Sequence, residues 1–191
     1  IFILFIFFMK GEIREKFKIK RRYFGSIVRA EAERYIAEYF LAEYGGYNSY
    51  LIYNSFGSEA STQGIISALL REGKQVFLPR VEGDKMVAVP YGELKRGAYG
   101  IMEPQGQPYS GAIDVTAVPL LAVNGRGFRL GYGGGYYDRF LKDNGTLKVG
   151  LGFAFQLTDE FEEDGGDEPL DSFICERGIY YFDKEEEQRR K

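Results

Sequence analysis

Residues 115–141, VTAVPLLAVNGRGFRLGYGGGYYDRFL, decide how this chain is read. The first nine, VTAVPLLAV, are almost wholly apolar and read as a buried strand and its extension. NGRGF at 124–128 is a turn. Gly131, Gly133, Gly134 and Gly135 follow, and residues 136–142 read as a helix that starts directly on them. Buried strand, glycine loop and helix in that order form the unit from which α/β folds are built.

The same alternation continues on both sides. Residues 10–28 are charged, with apolar residues at helical spacing. In 29–44 (RAEAERYIAEYFLAEY), Tyr35 and Tyr39 lie one turn apart, as do Ile36 and Phe40, which sets an apolar stripe against a charged face. Gly45 and Gly46 stop that helix. Residues 49–56 (SYLIYNSF) are β-rich and read as a strand, 62–71 (TQGIISALLR) as a helix with Gly73 just beyond it, and 75–78 (QVFL) as a strand closed by Pro79. Residues 82–109, with several glycines and prolines, are expected to be irregular. Residues 148–153 supply another strand, and 172–182 the last one or two. The expected fold is a single α/β domain over 10–183 with a mostly parallel central sheet flanked by helices. The tail, 184–191, is a solvated charge run.

The first nine residues, IFILFIFFM, are too short for a bilayer, which takes about 20 residues. They also lack the basic start and cleavage site of a signal peptide. They are expected to be translated sequence upstream of a start at Met9, with a buried edge strand as the alternative.

Composition removes many mechanisms. The 191 residues include no histidine, which excludes His-based triads, His metal ligands and a His general base. The single cysteine, Cys175, excludes an intrachain disulfide and fits a reducing cytoplasm. A net charge of −3 gives no general attraction to nucleic acid. The run 16–22 (KFKIKRR) is the one basic patch that such a role could use. Neither nucleic acid nor membrane is expected as a partner.

The densest chemical signal is the glycine loop. Four glycines in five positions are costly in chain entropy unless the backbone must do something special. Without Cβ atoms, successive N–H groups can turn toward one anion, and the following helix adds its positive end. Arg129 and Arg139 flank the loop and could neutralise phosphate oxygens. The pattern predicts a phosphate-binding loop; a tight turn between closely packed strand and helix is the alternative. No GK[ST] follows, and GYGGGY lacks the last glycine of GxGxxG, so neither familiar nucleotide loop fits. Asp138, one helical turn on, would add excess negative charge beside a polyphosphate unless it held a divalent cation. Magnesium suits that position, because it takes one or two carboxylates plus phosphate oxygens. A first-turn Asp facing the helix dipole is the alternative.

RLGYGGGYYDRFL at 129–141 resembles the signature of the 5-formyltetrahydrofolate cyclo-ligase family, and other blocks fall in that family's order. They are KGEIR at 10–14, SFGSEAST at 55–62 with IISALLREGKQVFLPRV at 65–81, YGIMEP at 99–104, GLGFAFQLT at 150–158 and DEPLDSFICE at 167–176. The resemblance runs from Lys10 to Glu176. Gly134 stands where some members carry lysine, and Gly166 where many carry histidine.

The resemblance implies a sugar-phosphate isomerase and CoA transferase type of architecture (NagB/RpiA/CoA transferase-like). It also implies ATP- and magnesium-dependent conversion of 5-formyltetrahydrofolate to 5,10-methenyltetrahydrofolate by a monomer or weak dimer. By the same resemblance Lys10 and Arg14 contact ATP phosphates, and Arg129, Leu130, Gly131, Tyr132, Gly133, Gly134, Gly135, Tyr136 and Tyr137 hold the triphosphate. Asp138 and Asp167 take the magnesium. Glu59 binds the pterin N–H groups, for which a carboxylate is the matching acceptor. Asn54, Phe56 and Tyr136, with Tyr132 and Gly133 to Gly135, complete the folate pocket, and Arg129 and Tyr136 are the catalytic pair. A non-catalytic folate or nucleotide binder, or a sugar-phosphate isomerase or CoA-transferase relative, are the competing readings.

Overall fold

A computed structural model describes residues 2–97 and 100–182. Along the chain the elements are α1 (Phe2–Arg22), α2 (Ser26–Tyr44), β1 (Ser49–Ile52), α3 (Gln63–Arg71), β2 (Gln75–Glu82), β3 (Lys85–Pro90), β4 (Leu94–Arg96) and β5 (Met102–Pro104). Then come β6 (Val115–Pro119), β7 (Ala122–Val123), β8 (Arg129–Leu130), α4 (Tyr136–Asp143), β9 (Leu147–Leu151), β10 (Ser172–Cys175) and β11 (Gly178–Tyr181).

Seven strands form one sheet in the order β11-β10-β9-β6-β1-β2-β3. The five inner strands are parallel, and β3 and β11 close the edges antiparallel. This is the mostly parallel α/β sheet that the alternating pattern predicts. The period of two along each strand divides it into two apolar faces. Tyr50, Ile52, Val76 and Leu78 pack with Ile36, Phe40, Ile65 and Leu69 from α2 and α3. Leu51 and Phe77 point the other way, against Tyr137 and Phe140 of α4. With helices on both faces, β1 has no polar side to show, so all four of its residues are buried. In α2 the buried stripe is Ala32, Ile36, Phe40 and Tyr44. Tyr35 and Tyr39 flank it as a stacked pair with centroids 6.3 Å apart.

From β1 the chain passes through α3 to β2 and β3 on one side, then returns to β6, β9 and β10 on the other. Strand order therefore reverses between β1 and β6. At such a point the connections leave in opposite directions, and a crevice opens beyond the carboxyl ends of the strands. Those ends are Ile52 and Pro119, so the segments 53–62 and 120–135 border the crevice.

Several elements differ from expectation. Residues 82–109 are not irregular: β2 runs on into an antiparallel pair with β3, and β4 pairs with β5. Pro79 does not close β2 but lies inside it, opposite Ala88. The Ala88 carbonyl accepts from the Tyr109 N–H at 2.8 Å, so the backbone groups of this pair point away from each other. On the other side, β1 stops pairing at Phe77. A missing N–H at Pro79 therefore costs no ladder bond. The strand expected over 49–56 ends at Ile52, and that expected over 115–123 breaks after Pro119 into β6 and the short β7–β8 hairpin. Residues 2–22 are helical, which overturns the edge-strand alternative for the apolar start. Tyr99 of the YGIMEP block and the tail 184–191 lie outside the described residues. Among the described residues, no helix is long and apolar enough to cross a membrane.

Candidate active site

The β7–β8 hairpin presents the glycine loop. Its turn is built by Asn124, whose Oδ1 accepts the N–H groups of Arg126 and Phe128 at 3.1 and 3.0 Å. This fixes Arg129, which is only 7% exposed. Its guanidinium donates to the Glu168 carbonyl at 3.0 Å and to Asp138 Oδ1 at 2.8 Å. In the loop itself Gly133 and Gly135 have φ of +100° and +65°. L residues avoid both values, so these two glycines are required by the backbone. Gly135 is the N-cap of α4 and supplies no side-chain cap, which leaves the first N–H groups of the helix without a side-chain acceptor. A Cβ on Gly134 would lie 2.8 Å from the Tyr136 ring.

One stripe of α1 lies against this loop. Lys10, Ile13, Phe17 and Arg21 are buried at helical spacing. Lys10 Nζ is 2.7 Å from Asp164 and 3.5 Å from Asp167. Arg14 donates from Nε to the Gly131 carbonyl at 3.0 Å. Asp138 Oδ1 also accepts the Glu168 N–H at 3.3 Å, next in sequence to Asp167. The structure thus brings Lys10, Arg14, Arg129, Asp138, Asp167 and the glycine loop to one side of the crevice.

Glu59 borders the other side, from the segment that follows β1. Its Oε2 accepts the Phe56 N–H at 2.8 Å, and its Oε1 accepts the Tyr132 hydroxyl at 2.8 Å. Burial pushes the Glu59 carboxyl above the usual carboxylate range, against the opposing pull of the Phe56 N–H, the Tyr132 hydroxyl and the Arg21 charge. Tyr137 reaches in from α4. Its hydroxyl is buried and has no hydrogen-bond partner among the described residues. Burial raises the phenol, the Glu59 charge adds to that and the Arg129 charge opposes it, so Tyr137 stays neutral. Asn54 is held by Gln63 at 2.9 Å and by the Met102 carbonyl at 3.2 Å. The Phe56 side chain is 54% exposed, beside a cleft lined also by Lys18, Arg22 and Arg29.

Two expectations change. Arg139 does not point at the anion position; it donates to the Asp84 carbonyl at 2.9 Å and the Gly134 carbonyl at 3.0 Å, and lies over the Tyr136 ring. The run 16–22 is not one basic surface. Arg21 is 3% exposed, and its guanidinium reaches the Leu120 carbonyl at 3.0 Å and the Tyr132 hydroxyl at 2.5 Å. The helical period would have found it, because Arg21 follows Lys10, Arg14 and Phe17 at steps of four, three and four.

Among the described residues, no three acidic or cysteine side chains cluster as a ready-made metal cage. Asp138 and Asp167 nevertheless suit an ion that arrives with phosphate. Each uses one oxygen for its protein contacts, Asp138 through Oδ1 and Asp167 through Oδ2. A second carboxylate oxygen on each is left for a hard cation that takes its remaining ligands from phosphate and water.

Comparison with known proteins identifies the family. A family model described as the 5-formyltetrahydrofolate cyclo-ligase family matches residues 8–176. The Haemophilus influenzae 5-formyltetrahydrofolate cyclo-ligase is 27% identical over 176 residues, covering 84% of this chain and 94% of the relative. The Escherichia coli K12 enzyme of the same name is 34% identical over 143 residues, covering 68% and 78%. Among solved structures, the Aquifex aeolicus 5,10-methenyltetrahydrofolate synthetase superimposes with a TM-score of 0.81 at 30% identity, covering 91% of this chain and 92% of the other.

Proposed function

The chain belongs to the 5-formyltetrahydrofolate cyclo-ligase family, and from that membership we propose that it converts 5-formyltetrahydrofolate and ATP to 5,10-methenyltetrahydrofolate, ADP and phosphate. The observation that carries this reading is the convergence at the β1–β6 reversal. There a glycine loop contacted by Arg14, preceded by Arg129 and followed by Asp138, is joined through Tyr132 to the half-buried carboxylate Glu59.

The chemistry explains the need for ATP. A formamide carbon is a poor electrophile, and its oxygen is a poor leaving group. Phosphoryl transfer to that oxygen makes it leave as phosphate when N10 attacks the same carbon and closes the ring, with loss of the N10 proton. The enzyme's share is alignment and the stabilisation of spreading phosphoryl charge. No protein nucleophile is required. This is consistent with a chain that has no histidine and whose one cysteine is fully buried in β10.

Lys10, Arg14 and Arg129 neutralise the phosphates. The backbone from Leu130 to Tyr137 cradles them, with the α4 N-terminus behind. Asp138 and Asp167 hold the magnesium, which supplies charge neutralisation at the phosphates. Glu59 accepts from the pterin, flanked by Asn54, Phe56 and Tyr136. Tyr136 and Arg129 border the reacting groups. A cytoplasmic monomer or weak dimer completes the reading.

The test is the rise in near-ultraviolet absorbance of methenyltetrahydrofolate when purified protein meets 5-formyltetrahydrofolate. Turnover that needs both ATP and a divalent metal is expected. Turnover without ATP, or none from fully folded protein, would overturn the proposal.

A further inference from the structure

Arg21 is a residue that the reaction just described leaves without a task. A guanidinium does not give up its charge, so burying one inside a domain is costly unless its donors are used. Two of the three nitrogens are placed. Nη1 donates to the carbonyl of Leu120, one residue beyond β6, at 3.0 Å, and Nη2 to the Tyr132 hydroxyl at 2.5 Å. Nε is buried and has no partner among the described residues. The guanidinium also lies 5.6 Å from the centre of the Tyr132 ring. Tyr132 donates its own proton to Glu59 at 2.8 Å. A fixed positive charge therefore ends a two-bond relay whose other end is the site's half-buried carboxylate.

The groups that face Glu59 come from every element around it. They are Arg21 from α1, Tyr53 from the end of β1, Tyr132 from the glycine loop and Tyr137 from α4, with the Phe56 N–H in its own loop. Arg21 is the one cation acting on Glu59 in this set. Tyr132 is half exposed, and its hydroxyl is held between the Arg21 donor and the Glu59 acceptor.

We propose that Arg21 is a positioning residue. It fixes the Tyr132 hydroxyl so that the proton points to Glu59, and it keeps that carboxylate ionised and aimed into the folate pocket. The role rests on Glu59 being the pterin acceptor, as in the function proposed above.

Three variants test it: Arg21→Met, Arg21→Lys and Tyr132→Phe. Two readouts are needed: 13C NMR titration of the Glu59 carboxyl in ligand-free protein, and kcat/KM for 5-formyltetrahydrofolate against pH. Arg21→Met should move the Glu59 midpoint and the acid limb of kcat/KM upward together. The KM for the folate should rise at least about tenfold, the lower end of the worth of one hydrogen bond to a charged group, and the KM for ATP should stay unchanged. Arg21→Lys keeps the charge but not the fork, and its shift should be smaller. Tyr132→Phe keeps the Arg21–Leu120 bond and should still move the midpoint upward. A purely structural Arg21 predicts lower thermal stability with an unmoved Glu59 midpoint, and that result would overturn the proposal. If Arg21→Met does not fold, an unmoved midpoint in Tyr132→Phe overturns it alone. Wild-type protein without turnover, but with the midpoint shifts intact, would instead sink the folate-ligase reading.

Discussion

Gly133→Val separates a phosphate-binding loop from a mere turn. The φ of +100° at Gly133 lies where a residue with a side chain pays about 1–3 kcal/mol. Space is not the obstacle. The nearest heavy atom to a Cβ built there is Arg14 Cζ at 3.7 Å, an ordinary contact. The variant loop therefore either keeps its shape at that conformational cost or relieves the strain by rotating its peptides. Rotation turns N–H groups away from the anion. Loss of one hydrogen bond to a charged group costs about 1.5–3 kcal/mol, which is roughly a 10- to 150-fold weaker affinity. The assay is calorimetric titration of ATP into the variant, with circular dichroism to check the fold. Gly73→Val is the control. Gly73 has φ of +72°, and a Cβ there meets nothing within 4 Å. It lies just before β2, at the amino end of the sheet. It should lose comparable stability and bind ATP as the wild type does. An ATP affinity for Gly133→Val within twofold of wild type, on a folded chain, would refute the reasoning and leave the glycines as a packing turn.

Asp138→Asn should lower turnover while sparing folate binding, and added magnesium should restore part of the rate, because the change weakens a metal ligand and also leaves the buried Arg129 charge less well paired. Asp167→Asn should behave alike; full activity in both variants at low magnesium would remove them as ligands. Phe40→Ala, in the fully buried stripe of α2, should cost about 3–5 kcal/mol, and thermal unfolding should fall by about 2–4 °C for each of these. Asp114 accepts the N–H groups of Asn48 and Ser49 at 3.0 and 2.9 Å, and these hold its carboxyl below the usual range. With the folded value depressed, its contribution is present above the ordinary carboxylate pKa of about 3.9 and is lost as pH falls through the folded value. Urea unfolding should therefore show Asp114→Asn weaker than wild type at pH 7, with the gap narrowing as pH falls below the ordinary carboxylate range; a gap that does not change with pH would contradict this.

Much of the architecture is written in local sequence. Inner parallel strands are buried on both faces, so SYLI and VTAVP show as mostly apolar runs without polar alternation. The helices that cover them, such as α2, carry the 3.6-residue stripe. The glycine loop is equally plain, because positive φ at Gly133 and Gly135 is a local property of the chain. The absence of histidine narrowed the chemistry without any structure. The antiparallel arm over 82–109 was not legible. Its strands are short and half exposed, and Pro79 reads as a terminator unless one knows that β1 has already stopped pairing beside it. Arg21 and Arg139 show the same limit. Arg21 reads as part of a basic surface and Arg139 as a phosphate contact, yet Arg21 is buried behind Tyr132 and Arg139 is spent on two backbone carbonyls. Periodicity states which residues share a helix face. Whether that face meets solvent, a loop or a carboxylate depends on segments more than a hundred residues away, and only the folded chain brings Arg21, Tyr132 and Glu59 within bonding distance.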